Sequence, residues 1–520
     1  MSKRLILVLA FAFVLGVSFA AYAEVQNVKV SGDLTIGGVY RQDFDLAKPR
    51  NIGSGVATFE DKEQDVFTIT RIRVDTDLTD NVSAVVRLIN ERNWNGDTIT
   101  GLSENNRNIG FAAANGANKE SQIDLDLAYV TLKEFLYSPL TLKVGRQEMR
   151  FGNGWIVGDP DTNGLALKSA LAEGDLSLRK SFDAVRATLD YNPLMVDVIY
   201  SKIAENNTIL NDDTTLYGLN AAYELDKNTT LEGFFFTKIR GSDTPAATFV
   251  DATTDADIAL MNATLKDKGD VVNTVGGRIV NRTIKNLTID AQGAYQFGIY
   301  NPKFDPNARF DGGFAAGGTA SEHIAGVGDR KAWGTEIIAM YDLKDCKHIG
   351  KYNPMIGAAY VYLSGEDRDR VGNSTYHGWD AMFEDQTFGH VINAIMGFTN
   401  VTLGGVTMQA KPWEDVSVRA DYVRAYLNKR LPTGRAVVLS GISSARQFIG
   451  GNSDDRYLGQ EIDLSVTYDY TEDVQFSLLG GYFLPGKTIN TQGTQGQNVA
   501  DVNQHRASAT EVIGSMKVVF

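Results

Sequence analysis

Residues 458–483 read LGQEIDLSVTYDYTEDVQFSLLGGYF. Ile462, Leu464, Val466, Tyr468 and Tyr470 alternate with Glu461, Asp463, Ser465, Thr467 and Asp469. After the turn-like Thr471-Glu472-Asp473, Val474, Phe476 and Leu478 resume the alternation against Gln475 and Ser477. A period of two puts successive side chains on opposite faces of a strand, so each run has one apolar and one polar face. Two long neighbouring strands of this kind are suited to a wall between two solvents.

The same pattern recurs along the chain. Val28, Val30, Leu34, Ile36 and Tyr40 oppose Lys29, Ser31, Asp33, Thr35 and Arg41. Val66, Ile72, Val74 and Leu78 oppose Arg71, Arg73, Asp75 and Asp77, and Ile123, Leu125, Leu127 and Tyr129 oppose Asp124 and Asp126. Eighteen strands are predicted, near 28–41, 65–78, 82–92, 123–136, 140–150, 182–191, 194–204, 214–225, 229–240, 270–280, 286–298, 331–343, 353–364, 398–411, 414–427, 457–470, 473–484 and 505–520. Their connections alternate. Short links such as 79–81, 138–139, 192–193, 226–228, 412–413 and 471–473 follow long ones such as 42–64, 93–122, 151–181, 241–269, 299–330, 365–397, 428–456 and 485–504.

A soluble β-sandwich would not gather its long loops at one end. An antiparallel chain with short turns on one side and long loops on the other is the pattern of a transmembrane β-barrel. Backbone polar groups in lipid must be paired internally, so only helices and closed barrels span a bilayer. The reading is therefore all-β: an 18-stranded antiparallel barrel with short periplasmic turns and long extracellular loops. Its apolar face meets lipid, and its polar face meets a water-filled lumen.

The termini fit an exported protein. Lys3 and Arg4 precede the apolar stretch 5–20, and Ala21-Tyr22-Ala23 offers small residues at a signal-peptidase site. Cleavage there leaves the barrel on 24–520 and takes the net charge from −14 to −16. The last strand ends TEVIGSMKVVF, with Val512, Met516, Val518 and Phe520 on one face. A terminal Phe on such a strand resembles the signal by which outer-membrane barrels reach their assembly machinery. An acidic chain argues against nucleic acid as a partner, and Cys346 is the single cysteine, so no internal disulfide forms. The expected partners are outer-membrane lipid and lipopolysaccharide, together with small polar or anionic solutes.

Three stretches carry a family resemblance: LTLKVGRQEMRFGNGWIVGD (140–159), YHGWDAMFEDQTFGH (376–390) and YLGQEIDLSVTYDYTEDVQFSLLGGYFLPG (457–486). They resemble the alginate-export family of 18-stranded outer-membrane porins. The resemblance implies a monomeric barrel that moves polar or anionic solutes across the outer membrane. It also implies a markedly cationic lumen, from which this chain departs.

The lumen-facing set is mixed. Arg71, Arg73, Arg87, Lys143, Arg186, Lys238, Arg240 and Arg419 are basic; Asp75, Asp77, Glu91, Asp124, Asp126, Asp197, Glu232, Glu336, Asp421, Glu461, Asp463 and Asp469 are acidic. Arg71, Arg73 and Arg87 are the best candidate anion contacts, because a guanidinium grips a carboxylate at two points. Equally, they could brace the wall by pairing with Asp75, Asp77 and Glu91. Strict alternation aims Arg146 and Glu148 at lipid, unless a bulge at Gly145 flips the phase or the pair sits at the extracellular rim. The resemblance favours a solute-binding role for Arg146 and Arg150; a local salt bridge that braces the loop is the equal alternative.

The loops give weaker signals. Asp159, Asp161 and Asn163 open a calcium-loop pattern, but its twelfth position is Ala170 instead of a bidentate Glu, so a plain turn-rich loop is the better reading. Stretch 255–268 has helical spacing. Loop 151–181, with Trp155, is the better candidate for an inward constriction. The five histidines are scattered and no hydrolase motif occurs, so neither catalysis nor a cofactor is expected. A passive porin is the leading reading. A barrel that sheathes a partner protein is the alternative, and a barrel hydrolase the remote one.

Overall fold

The computed structural model describes residues 27–44, 46, 62–94, 123–160, 174–204, 213–241, 269–301, 328–366, 375–430, 436–437, 448–450, 455–490 and 506–520. The signal-peptide expectation, Asp161, Asn163 and stretch 255–268 lie outside the described residues.

The wall begins with β1 (Asn27–Gln42), β2 (Lys62–Thr79), β3 (Val82–Asn93), β4 (Asp124–Leu132), β5 (Leu140–Glu148) and β6 (Ser181–Asp190). It continues with β7 (Leu194–Ala204), β8 (Thr214–Asp226), β9 (Thr229–Arg240), β10 (Asp270–Asn281), β11 (Leu287–Tyr300) and β12 (Gly328–Asp342). It ends with β13 (Met355–Leu363), β14 (Val401–Trp413), β15 (Val416–Leu427), β16 (Tyr457–Asp469), β17 (Val474–Pro485) and β18 (Ala509–Val519). Each strand pairs antiparallel with the next, and β1 closes on β18 from Asp33↔Val519 to Gln42↔Thr510. The sheet's nineteenth member, Thr375–Tyr376, adds only a short parallel pairing to β12. Eighteen strands thus form the closed wall, in agreement with the expectation from period and turns.

Because neighbours run antiparallel, the connections alternate between the two ends. At one end they span 2 to 12 residues, and at the other 9 to 37. The chain enters and leaves at the short-link end, where Gly32 and Phe520 exchange backbone hydrogen bonds of 2.8 and 2.9 Å.

The faces divide as the opening stretch requires. On β16, Ile462 and Leu464 are each 52% exposed, whereas Glu461 and Asp463 are 1% and 2% exposed. A soluble core would reverse that order. Ile72, Val86, Val144, Val185, Val275, Ile337, Val406 and Leu478 likewise lie exposed on the outside. Such a surface suits hydrocarbon, and the closed ladder leaves no strand edge unpaired within it.

β4 departs from strict alternation. The β3–β4 register shifts between Arg87 and Leu88, so Asp126 and Leu127 oppose the partner strand together. Leu127 and Tyr129 therefore point inward, opposite inward Arg87 and Val85, and do not share the apolar face with Ile123 and Leu125. The break lies here and not at Gly145. Gly145 has φ +121, but its strand keeps unbroken register with both neighbours. It is needed for a close approach, since a Cβ there would come within 2.2 Å of the Ala128 carbonyl oxygen.

Candidate functional site

Two connections at the long-link end turn back into the lumen. The first, 149–158, follows β5; the second, 376–398, precedes β14 and contains the short helix α1 (His390–Ile395). Their apolar side chains explain the direction. Met149, Phe151, Trp155, Trp379, Met382, Phe383, Val391, Ile392 and Phe398 are buried in one cluster with inward wall residues such as Phe236, Val361, Leu403 and Phe483. Burying this surface is favourable at about 25 cal/mol per Å².

The two segments form one body. Val157 and Phe383 pair as a parallel bridge, with Gly158 N to Phe383 O at 2.7 Å and Phe383 N to Ile156 O at 3.0 Å. The Asp385 N–H donates to Gly154 O at 2.7 Å, and Trp155 stacks on Trp379 at 5.2 Å. Of loop 151–181, the described residues 151–158 turn inward, and residues 161–173 lie outside the described residues. The larger inward segment, 376–398, was not anticipated as such, although its density of Trp, Phe, Met and Ile in a connection is a readable sign.

Polar groups of the wall hold this body. Glu461 accepts from the backbone N–H groups of Val391 at 2.7 Å and Ile392 at 2.6 Å, and Asp463 accepts from that of His390 at 3.3 Å. Two wall carboxylates thus satisfy the exposed donors at the start of α1, where the positive end of the helix also favours negative charge. Glu461 and Asp463 are therefore latches for the inward segment and not open solute contacts. Glu336 accepts from Gln292 at 2.7 Å, from Gln386 at 3.2 Å and from Asn153, which ties both segments to β12. Lys238 pairs with Asp380 and is 1% exposed, so it too is spent on the inward body. Arg240 lies on the same face of β9.

Ionisation in the inward segment follows these neighbours. Burial would push Asp380 up, but Lys238, Arg330 and Arg240 together hold its carboxyl below the usual range. Burial pushes Glu384 up to about 8, helped by nearby Asp385 and Asp159 and opposed by the Gln386 N–H.

A third segment, 174–180, covers the ends of β1 to β4. Arg41 pairs with Asp175 at 2.5 Å and with Glu511 at 2.6 Å, while Arg179 pairs with Glu91 at 3.0 Å and Asp124 at 2.5 Å. Leu176 and Leu178 pack on Phe67, Ile69 and Ile89. Between this cover and the joined body, Arg150 and Lys180 both pair with Asp385. Arg150 is half exposed, and Glu148 beside Arg87 is 48% exposed.

The remaining sequence-predicted residues lie on the wall itself. Arg71 pairs with Asp33 at 2.9 Å, Arg73 with Asp75 at 2.7 Å, and Arg87 with Asp126 at 2.5 Å and with Glu148. Of the three partners expected for them, only Asp75 is one; Glu91 holds Arg179 instead. Arg186 pairs with Asp197 at 2.7 Å, and Lys143 lies over the Tyr129 ring at 4.7 Å. Arg419 pairs with Asp421 at 2.8 Å. Arg146 does not line the lumen. It lies 3.4 Å from exposed Asp183 on the outer face, at the long-link end, whereas Glu148 turns back to lumenal Arg87. Among the described residues no cluster of His, Cys, Asp or Glu is arranged to hold a metal ion.

Charge on the lumenal wall is thus mixed and largely paired: Arg71, Arg73, Arg87 and Arg186 on β2 to β6 each meet a neighbouring carboxylate, as do Arg278 on β10 and Arg419 on β15.

A family model described as alginate export matches residues 33–503. Among solved structures, Acinetobacter baumannii OccAB1 is similar over 96% of this chain and 100% of its own, at 12% identity and a TM-score of 0.51, a likeness of fold alone. Pseudomonas aeruginosa OccK8 (OprE) is similar over 95% of this chain and 98% of its own, at 11% identity and a TM-score of 0.48. No curated protein matches the chain with significance.

Proposed function

The chain belongs to the alginate-export family, and from that premise we propose that this outer-membrane channel passes anionic solutes passively through its lumen. One observation carries the reading. Beside the inward body, the two cations Arg150 and Lys180 share the carboxylate of Asp385. The Arg150 guanidinium is half exposed, so an anion could meet it there. Lys143, over the Tyr129 ring, places a further cation on the wall. A solute carboxylate would exchange into such pairs, because Arg presents a planar fork and Lys a mobile point charge. Opposed charge across a water-filled lumen also orients a dipolar solute and keeps the path hydrated.

Uronate-type oligosaccharides are the cargo this arrangement suits best, since they present carboxylates at regular intervals. No reaction step is needed, and the channel is non-enzymatic. The long-link end faces outward, and the short links and both termini face the periplasm. One barrel suffices, because the passage lies inside a single wall. β18, ending at Phe520, is the segment offered to the barrel-assembly machinery.

The test is single-channel recording in planar bilayers under a salt gradient. The expected result is an anion-preferring current that oligo-uronates block. Replacing Arg150→Ala with Lys180→Ala should shift the reversal potential toward cations and weaken the block about tenfold, the scale of one lost charge-assisted contact. A barrel that inserts but does not conduct would favour the sheathing role instead. An unchanged reversal potential would remove Arg150 and Lys180 from the selectivity mechanism.

A further inference from the structure

At Arg424 the outer wall carries a cation that the lumen does not use. On β15, Val423 and Ala425 face inward and are buried, so Arg424 between them faces out and is exposed. Its guanidinium lies over the rings of Tyr426 at 5.6 Å and Tyr457 at 5.2 Å, themselves 5.1 Å apart. Gly404 on β14 and Gln460 on β16 stand opposite it in register. A Cβ at Gly404 would meet nothing within 4 Å, so the space beside the guanidinium is open. The Tyr422 hydroxyl donates to Gln460 Oε1 at 2.8 Å, adding a polar edge.

Among the described residues no carboxylate pairs with Arg424. Asp455 accepts the backbone N–H of Tyr457 at 2.9 Å, and the nearby Arg456 donates to Asn428 O at 3.1 Å. Below Arg424, toward the short-link end, the outer face turns aliphatic with Val406, Met408, Ile462 and Leu464. The strand ends three residues above it, at Leu427, roughly 10 Å away. An unpaired guanidinium is costly in hydrocarbon and is tolerated where it reaches headgroups. Aromatic rings mark that same boundary on a barrel.

The geometry points to a seat on β14 to β16 for the phosphate of a lipid headgroup in the outer leaflet. The guanidinium grips two phosphate oxygens, the Tyr426–Tyr457 shelf fixes its plane, and the acyl chains lie down the aliphatic band. This rests on the reading of the wall as lipid-facing.

The experiment is lipid retention by the purified full-length barrel in detergent, read by native mass spectrometry. The probes are diphosphoryl lipid A, its phosphate-free derivative and inorganic phosphate. The phosphorylated lipid should be retained about tenfold better than the phosphate-free one. Arg424→Ala should erase that preference, Arg424→Lys should keep part of it, and millimolar inorganic phosphate should not compete. Equal retention of both lipids, or the same preference in Arg424→Ala, overturns the seat. Heat-modifiable migration confirms that each variant is folded, and Arg424→Gln reads the same question if the alanine variant does not fold. Conductance of the same preparation separates the two readings: lost lipid preference with intact current defeats only the seat.

Discussion

Glu461 takes up two backbone donors of α1. Truncating it to Ala should weaken the seating of 376–398 by about 2 kcal/mol, the cost of leaving buried donors without a charged acceptor. The measurement is open-channel current noise, which should rise, while barrel migration on gels stays unchanged; a quiet trace would show that α1 is held by its apolar face alone. Glu384 offers a pH test of the same segment. Its pKa is raised to about 8 from an ordinary 4.5, so the seated state is favoured fully below 4.5 and loses that advantage as pH rises through 8. Current at pH 9 should therefore fluctuate more than at pH 6, and Glu384→Gln should abolish the difference. Neither carboxylate's role was legible beforehand. Alternation revealed that Glu461 points inward but not that a connection returns to meet it, because a hydrogen bond across about 70 residues of chain leaves no local periodicity.

At the scale of elements, the strands were readable and the inward segments only partly so. Each wall strand meets two solvents, and that contrast is written every second residue. Segment 376–398 meets protein on most sides, so its apolar residues follow no period. Trp155 and Trp379 tie the two inward segments together. Trp379→Ala should cost about 3–5 kcal/mol of that docking. Removing 376–398 outright should raise single-channel conductance severalfold while leaving a folded barrel, since none of the eighteen wall strands lies within it. Conductance equal to the parent's would mean that the narrowest point lies elsewhere. The β4 irregularity was hidden for another reason. Asp126 and Leu127 suit opposite faces of an ideal strand, and only the neighbouring register shows them sharing one.

For the whole molecule, net charge is a poor guide to what passes. The chain is acidic overall at −14, yet much of the acid is committed to latches and ion pairs, while Arg150 stays half exposed. Selectivity that depends on such local fields should fade with salt. The reversal-potential preference should be strong near 0.1 M, where the screening length is about 10 Å, and weak at 1 M, where it is about 3 Å. The wall and its filling are also separable, because the two faces of each strand answer to different surroundings. β16 makes that separation fragile in one respect. A single residue inserted between Leu458 and Glu461 would exchange its two faces over the rest of the strand, sending Glu461 and Asp463 into oil and Ile462 and Leu464 inward. Point changes on this ribbon should be forgiven one at a time, whereas a frame slip should be lethal to insertion and to aperture together.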